Sequence, residues 1–285
     1  MDLAKSGNYD SLKIAIKENP EIKNYKDKNG GTIWHHLAKS GNYDSLKRAI
    51  EENPEIKDIK NIFSASIWHH LAKSGNYDSL KIAIKENPEI KNIKNIFGGT
   101  IWHYLASTGN YDSLKIAIEE NPEIKYIKDY NECTVWYYLA HSGNYDSLKI
   151  AIEENPEIKD IKNIFSASIW HYLAYSGNYE SMKRAIEENP EIKNYKDKNG
   201  GTVWYYLANS GNYDSLKIAI EENPEIKDIK DSRGVTIWHY LAWSGNYESL
   251  KQAIEENPEI KDIKNNRGGT IWHYLASTGN YDSLK

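Results

Sequence analysis

The sequence predicts an all-α solenoid of tandem repeats, and three observations carry that class. The tripeptide GNY recurs at Gly7, Gly41, Gly75, Gly109, Gly143, Gly177, Gly211, Gly245 and Gly279, always 34 residues apart and without an insertion. A fixed period in this range marks stacked units that pack on their neighbours. Within each period two apolar stripes have helical spacing, and each is bracketed by start and stop residues. Length alone would suggest one or two ordinary domains. The period replaces that expectation with one continuous solenoid over residues 1–285, its repeats starting near Gly7, Gly41, Gly75, Gly109, Gly143, Gly177, Gly211 and Gly245, with partial units at both ends.

The first helix of a repeat starts after Thr32, a good N-cap, and aligns Ile33, Trp34, Leu37 and Ala38 on one face. Gly41 follows Ser40 where a helix C-terminus favours a left-handed residue. Asn42 then caps a second helix with Tyr43, Leu46, Ala49 and Ile50 on its stripe. That helix stops near Asn53, because Pro54 disfavours the α conformation just before it. Each helix is expected to run about nine to eleven residues, marginal alone and dependent on stacking. Between Pro20 and Thr32 lies EIKNYKDKNGG, expected to project as a finger between units.

Two families are candidates. W-x-x-L, G-N-Y and N-P echo tetratricopeptide repeats, which share the period. Their longer helices do not fit the distance from Trp34 to Pro54. The resemblance to ankyrin repeats is closer. DKNGGTIWHHLAKSGNYDSLKIAI resembles D-x-x-G-x-T-P-L-H-x-A-A-x-x-G-H followed by an aliphatic helix, with Asp27, Gly30, Thr32, His35, Ala38 and Gly41 matching position by position. The match recurs over nearly the whole chain. It implies an all-α, ankyrin-type helical repeat solenoid with projecting β-turn or finger loops, and a concave face of finger tips and first helices that grips partner proteins. It departs in three ways. Ile or Val replaces the usual Pro, and Trp replaces Leu at Trp34, Trp68, Trp102, Trp136, Trp170, Trp204, Trp238 and Trp272. Each unit exceeds the usual 33 residues by one, assigned to the NPE turn. Two units read TVWY, at Thr134 to Tyr137 and Thr202 to Tyr205, where His is expected.

The frame GNY(D/E)S(L/M)K-x-A-I-x-E-N-P-E-I-K hardly changes between repeats, and the differences collect in two places. Finger tips read DKNGG, NIFSA, NIFGG, DYNEC, NIFSA, DKNGG, DSRGV and NNRGG. They place Ile62, Phe63, Ile96, Phe97, Tyr130, Ile164, Phe165, Arg233 and Arg267 at candidate contact sites. The slot after the first-helix alanine holds Lys39, Lys73, Ser107, His141, Tyr175, Asn209, Trp243 and Ser277. Drift at exposed sites favours small polar residues, whereas these include large aromatics of the kind that anchor interfaces. Packing between neighbouring fingers is the competing account for Ile62 and Phe63 with Ile96 and Phe97. It is weaker for Ile164 and Phe165, whose neighbours have polar tips.

Composition argues against other classes. The net charge of −5 and pI near 6.0 give no general field for nucleic acid or anionic membrane. No apolar stretch approaches the ~20 residues of a membrane span, and MDLAKSGNYD lacks a signal-peptide pattern. The ankyrin resemblance gives His35, His69, His103, His171, His239 and His273 a structural hydrogen bond to the Thr or Ser three residues before. Equivalent histidines ~10 Å apart in stacked units are too distant to share a zinc ion. The repeated Trp residues fall on the core stripe, with Trp243 outside it. The lysines represented by Lys13, Lys23 and Lys26 alternate with glutamates and read as salt-bridged surface. Cys133, the single cysteine, falls at a finger tip where exposure is expected, and fits a reducing, cytoplasmic compartment. No nucleophile–base pair, P-loop or dinucleotide fingerprint is present, and no catalytic residue, metal or cofactor is assigned. The chain begins inside a helix at Asp2-Leu3-Ala4 and ends inside one at Asp282 to Lys285, as expected of a piece of a longer repeat protein or of ends that stack on another copy. The leading function is non-catalytic binding of a partner protein. End-to-end self-assembly is the alternative, and modular nucleic-acid binding ranks third.

Overall fold

A computed structural model describes residues 1–279, so the helix expected at Asp282 to Lys285 lies outside the described residues. The chain divides into two compact units, Met1–Leu139 and Ala140–Lys285, both built from the same repeat. Among the described residues there are seventeen α-helices and no strand, only one isolated bridge between Lys60 and Ser66. Each repeat runs through helix A, helix B, a 3-10 turn and a finger that leads into the next helix A. One example is Ile33–Lys39, Tyr43–Glu52 and Pro54–Asp58, then the finger before Ile67–Ala72.

Helix A has six or seven residues, fewer than the spacing suggests, because both ends close early. Thr32 occupies the N-cap. At the other end the Ser40 hydroxyl donates to the Leu37 carbonyl at 2.6 Å, and Gly41 turns into the left-handed region at φ 78°. A Cβ on Gly41 would also meet Ser74 of the next repeat at 3.0 Å, so glycine is required there for conformation and for space. Helix B is ten residues long. The Asn42 Oδ1 caps it by accepting the Ser45 N–H at 3.1 Å, while Nδ2 donates to the Gly7 carbonyl of the preceding repeat at 3.1 Å.

The segment after Pro54 is only partly finger. Pro54–Asp58 winds a 3-10 turn in which Pro supplies the preset first residue. The turn buries Ile56, and its counterparts bury Ile90, Ile124, Ile158, Ile192, Ile226 and Ile260. Seven of the repeated tryptophans are 2–4% exposed. Burying ~200 Å² of each at ~25 cal/mol per Å² contributes up to about 5 kcal/mol. Trp272 lies in the last helix A among the described residues, where no following repeat is described, and is 40% exposed. Cys133, expected at the surface, is 1% exposed. It is the last tip residue, where the chain has already turned inward to start helix A.

The T-x-x-H histidine ties one repeat to the next. The Ser66 N–H and hydroxyl lie 3.1 and 3.0 Å from His69 Nδ1, and Nε2 lies 3.1 Å from the Gly99 carbonyl of the following finger. An Nδ1 that accepts from an amide carries no proton, so Nε2 is the donor to the carbonyl. His35, His103, His171 and His239 repeat this bridge onto Ala65, Cys133, Gly201 and Gly269. The edge of each imidazole meets a ring of the next repeat, His69 on Tyr104 and His171 on Tyr206 with centroids 4.8 Å apart. Tyr137 and Tyr205 replace two of the histidines, and the Thr134 and Thr202 hydroxyls are then buried without a hydrogen-bond partner.

A second tie runs between helices B. The Tyr43 hydroxyl and the Lys47 ammonium donate to Glu86 at 2.9 and 2.6 Å. Tyr9, Lys13 and Glu52 form the same trio, as do Tyr179, Lys183 and Glu222. The exposed ion pair adds little, because water and salt screen it, and the buried tyrosine ring carries more. Of the lysines read as salt-bridged surface, Lys13 pairs with Glu52, while Lys23 donates to the Asn53 amide oxygen.

His69→Ala should lower stability by roughly 2–4 kcal/mol, since it strands a buried N–H at Ser66 and a carbonyl at Gly99; a shift in the urea midpoint of under 0.5 kcal/mol equivalent would contradict the bridge. Acid should act through the same residues. Burial lowers the pKa of His69 and His171 to about 4 and of His70 to about 3, so on acidification the unfolded chain takes up protons first. Stability is then full above pH ~6.5 and falls between there and pH ~3, by about 1.4 kcal/mol per pH unit for each excess proton on the unfolded state. Urea melts at pH 7.5, 6.0 and 5.0 would reveal the slope.

Candidate functional site: the groove of finger tips and helix A

The finger is a turn closed by its own first residue. Asn61 Oδ1 accepts the Phe63 and Ala65 N–H groups at 2.9 Å each, and Asp197 Oδ1 accepts those of Asn199 and Gly201 at 2.8 Å. The remaining oxygen or amide of this residue reaches helix A. Asp197 Oδ2 accepts from the Tyr206 hydroxyl at 3.0 Å, Asn95 Nδ2 donates to Tyr104 at 3.0 Å, and Asp27 Oδ2 pairs with His36 Nε2 at 3.0 Å. Within each compact unit neighbouring fingers lie side by side, mostly through a backbone bond such as Ile96 N–H to the Phe63 carbonyl at 3.0 Å and Asn266 N–H to the Arg233 carbonyl at 3.0 Å, while at Asn199 the carbonyl accepts from the Ser232 hydroxyl at 2.9 Å.

This arrangement sorts the tip residues. The second tip residue lies over the preceding finger: Ile62 sits against Gly30 and Tyr130 against Gly98. Ile96 and Ile164 hold the same register, and all four side chains are exposed. The third tip residue faces helix A. In the second compact unit Phe165, Asn199 and Arg233 line a cavity of about 240 Å³ together with Asp197, Tyr205, Tyr206, Asn209, Tyr240 and Trp243. Four residues singled out in the sequence, Phe165, Asn209, Arg233 and Trp243, therefore meet at one site. The Arg233 Nε and Nη2 donate to Asp231 Oδ2 at 3.0 and 2.8 Å, and Nη2 also lies 2.8 Å from the Tyr240 hydroxyl. Trp243 packs between Tyr240 and Tyr274, with centroids 5.8 and 6.1 Å away. In the same compact unit His141 stacks on Tyr175 at 5.2 Å. Arg267 is exposed, its N–H held by Asn265.

In the first compact unit Phe63 and Phe97 pack ring to ring at 6.1 Å, so those two fingers do rest on one another while Phe97 stays exposed. Lys73 lies along the next repeat, its ammonium donating to the Ser107 carbonyl and hydroxyl at 3.0 and 2.6 Å. Burial, with the Lys39 charge adding to it, lowers the Lys73 pKa. Lys39 is exposed and lines a second depression with Lys5, His36 and Ser40.

Sequence comparison of the repeats missed Tyr206 and Tyr240 as cavity walls, because that column is nearly constant and reads as frame. Its switch from His36 and His70 to Tyr104 onward was the available signal. It also missed the K-x-A-I slot of helix B. There Ile82, Ile116, Ile150 and Ile218 are exposed, whereas Arg48 and Arg184 reach Asp10 and Asp146 of the preceding repeat at 2.5 Å.

The fourth tip residue is left-handed in all eight fingers, and five of the eight are glycine. Ser64, Glu132 and Ser166 adopt the same conformation at φ 56 to 59°. Ser64→Gly should therefore raise stability by about 1 kcal/mol, the usual cost of a left-handed non-glycine residue. Gly98→Ser should lower it by more, because its Cβ would come within 2.7 Å of the Tyr130 backbone nitrogen. Equal and small changes in the two urea midpoints would overturn this account.

Among the described residues no helix is long and apolar enough to cross a membrane. A search of the curated proteins gives no match. Residues 170–263 match the family model for ankyrin repeats, in three copies. The repeats outside that segment keep its 34-residue period, a T-x-x-H, S-x-x-H or T-x-x-Y start and its order of helix pair, 3-10 turn and finger. Ankyrin repeats are thus found over residues 170–263, and the all-α helix-loop units of about 34 residues along the described chain are consistent with a tandem ankyrin-repeat protein.

Proposed function

We propose that this chain is a non-catalytic scaffold that binds a partner protein in the groove between finger tips and helix A. Ankyrin repeats are in general protein-interaction modules. The observation that carries the reading here is a coincidence of variation and shape. Positions that differ between repeats, Phe165, Asn209, Arg233 and Trp243, line one cavity, while the invariant positions are caps, core and inter-repeat ties. Trp, Tyr and Arg at such a site are the residue types that carry binding energy. The capping imidazoles already use both nitrogens, and the single thiol is buried, which supports the non-catalytic reading. One buried thiol also fits a reducing, cytoplasmic setting.

Replacing the NIF tips at residues 61–63, 95–97 and 163–165 with the DKN sequence of the first repeat should leave helical content unchanged, because the frame already accepts that tip. A partner captured from cytosolic extract by the native chain should then be lost at least tenfold. Trp243→Ala should weaken capture as well. If both variants retain the same proteins as the native chain, the groove is not the binding surface.

A further inference from the structure

We infer that the groove takes an acidic segment of the partner, its carboxylates seated against Lys39 and Lys73 in the first compact unit. The inference rests on the groove-binding reading above. Two register positions face the groove: the third tip residue and the residue after the helix-A alanine. Over the whole sequence these positions hold Lys5, Lys39, Lys73, Arg233 and Arg267, and not one Asp or Glu, although the chain has 41 acidic residues against 36 Lys and Arg. The acids are placed elsewhere, at the helix-B ties and in the finger stems. The stem aspartates are occupied: in the first compact unit Asp27 accepts from Asn29 and Gly31 and pairs with His36, and the second unit repeats this. Asp197 accepts three hydrogen bonds from its own finger and Tyr206, and Asp231 holds Arg233.

Lys73 gives the inference its sharpest point. Its ammonium is part-buried and bonded to the carbonyl and hydroxyl of Ser107, and its electrostatic neighbour is another cation, Lys39. No carboxylate pairs with either lysine among the described residues. A partly desolvated ammonium beside a second ammonium is costly until an anion completes it, and a charge-assisted hydrogen bond is the strongest contact such a site can form. Phe63 and Phe97 pack against one another in the same compact unit, so the matching segment alternates acidic with apolar residues. A nucleic-acid strand fits less well, since tracking phosphates needs a cation in most repeats, and Ser107, Tyr175, Asn209 and Ser277 interrupt the series.

The test uses the intact chain and fluorescein-labelled twelve-residue peptides read by anisotropy. A peptide alternating Glu and Leu should bind at least tenfold tighter than its Gln–Leu counterpart at 50 mM salt, and the advantage should shrink at 300 mM. Lys39→Glu and Lys73→Glu should each abolish the preference, and Lys39→Gln and Lys73→Met, milder in the fold, should reduce it. Lys85→Glu on helix B should leave it intact. Equal binding of both peptides, indifference to the groove lysines, or tighter binding of a twelve-nucleotide single strand would overturn the inference. A twelve-residue random display library selected on the same chain separates the two levels. Selected peptides that are lost on Phe97→Ala but carry no acidic bias keep the groove and reject its acidic occupant. A selection that yields no groove-dependent peptide removes both.

Discussion

A neutral imidazole that uses both of its nitrogens is the contact on which the stack depends. Helix A is only six or seven residues long, and a helix that short does not form alone, because nucleation costs more than so few bonds return. The histidine answers this from two directions. Its Nδ1 satisfies the amide that starts its own helix, and its Nε2 reaches the finger carbonyl of the next repeat. Burial keeps the ring neutral, and the low dielectric that makes a broken hydrogen bond expensive there strengthens an intact one. Where Tyr205 stands instead, the ring packs on Tyr240 at 5.0 Å and the Thr202 hydroxyl has no partner. At that helix start apolar contact stands in for the imidazole bridge.

Holding the frame through backbone groups and invariant side chains leaves the tips free to differ. A finger closes on its own Asx residue and, at most steps within a compact unit, touches the next finger through one backbone bond. Neither contact specifies the second or third tip side chain. Ser64 and Ser166 show how firmly the frame imposes itself, since they take the left-handed conformation that Gly30 and Gly98 take elsewhere. The backbone is common property of the stack, and the side chains at the groove belong to individual repeats.

Charge is distributed by the same logic. Glu52, Glu86 and Glu222 serve as ties between helices B, and the stem aspartates organise their own turns. Negative charge is thus placed where it stabilises the stack, and the groove-facing slot and third tip position have none. A chain with net charge −5 can in this way present cations to a partner.

Much of the repeat was legible in the sequence because its signals act within a few residues. Thr32, Gly41, Asn42 and Pro54 mark helix ends through contacts one turn away, and Trp34 with Leu37 and Ala38 declares the buried face by spacing alone. The His-to-Thr hydrogen bond is equally local. What only the tertiary structure decided involves a neighbour 30 or more residues along the chain. The bond from His69 to Gly99, the rest of Lys73 on Ser107 and the seat of Ile62 on Gly30 are of that kind. So is the sorting of tip residues into those that cover the preceding finger and those that face the groove. The burial of Cys133 and Ile56 also belongs here, since both look like loop residues until the adjoining repeat is in place. A linear pattern states which residues a chain wants buried or capped; which of them meet depends on how closely one repeat sits on the next.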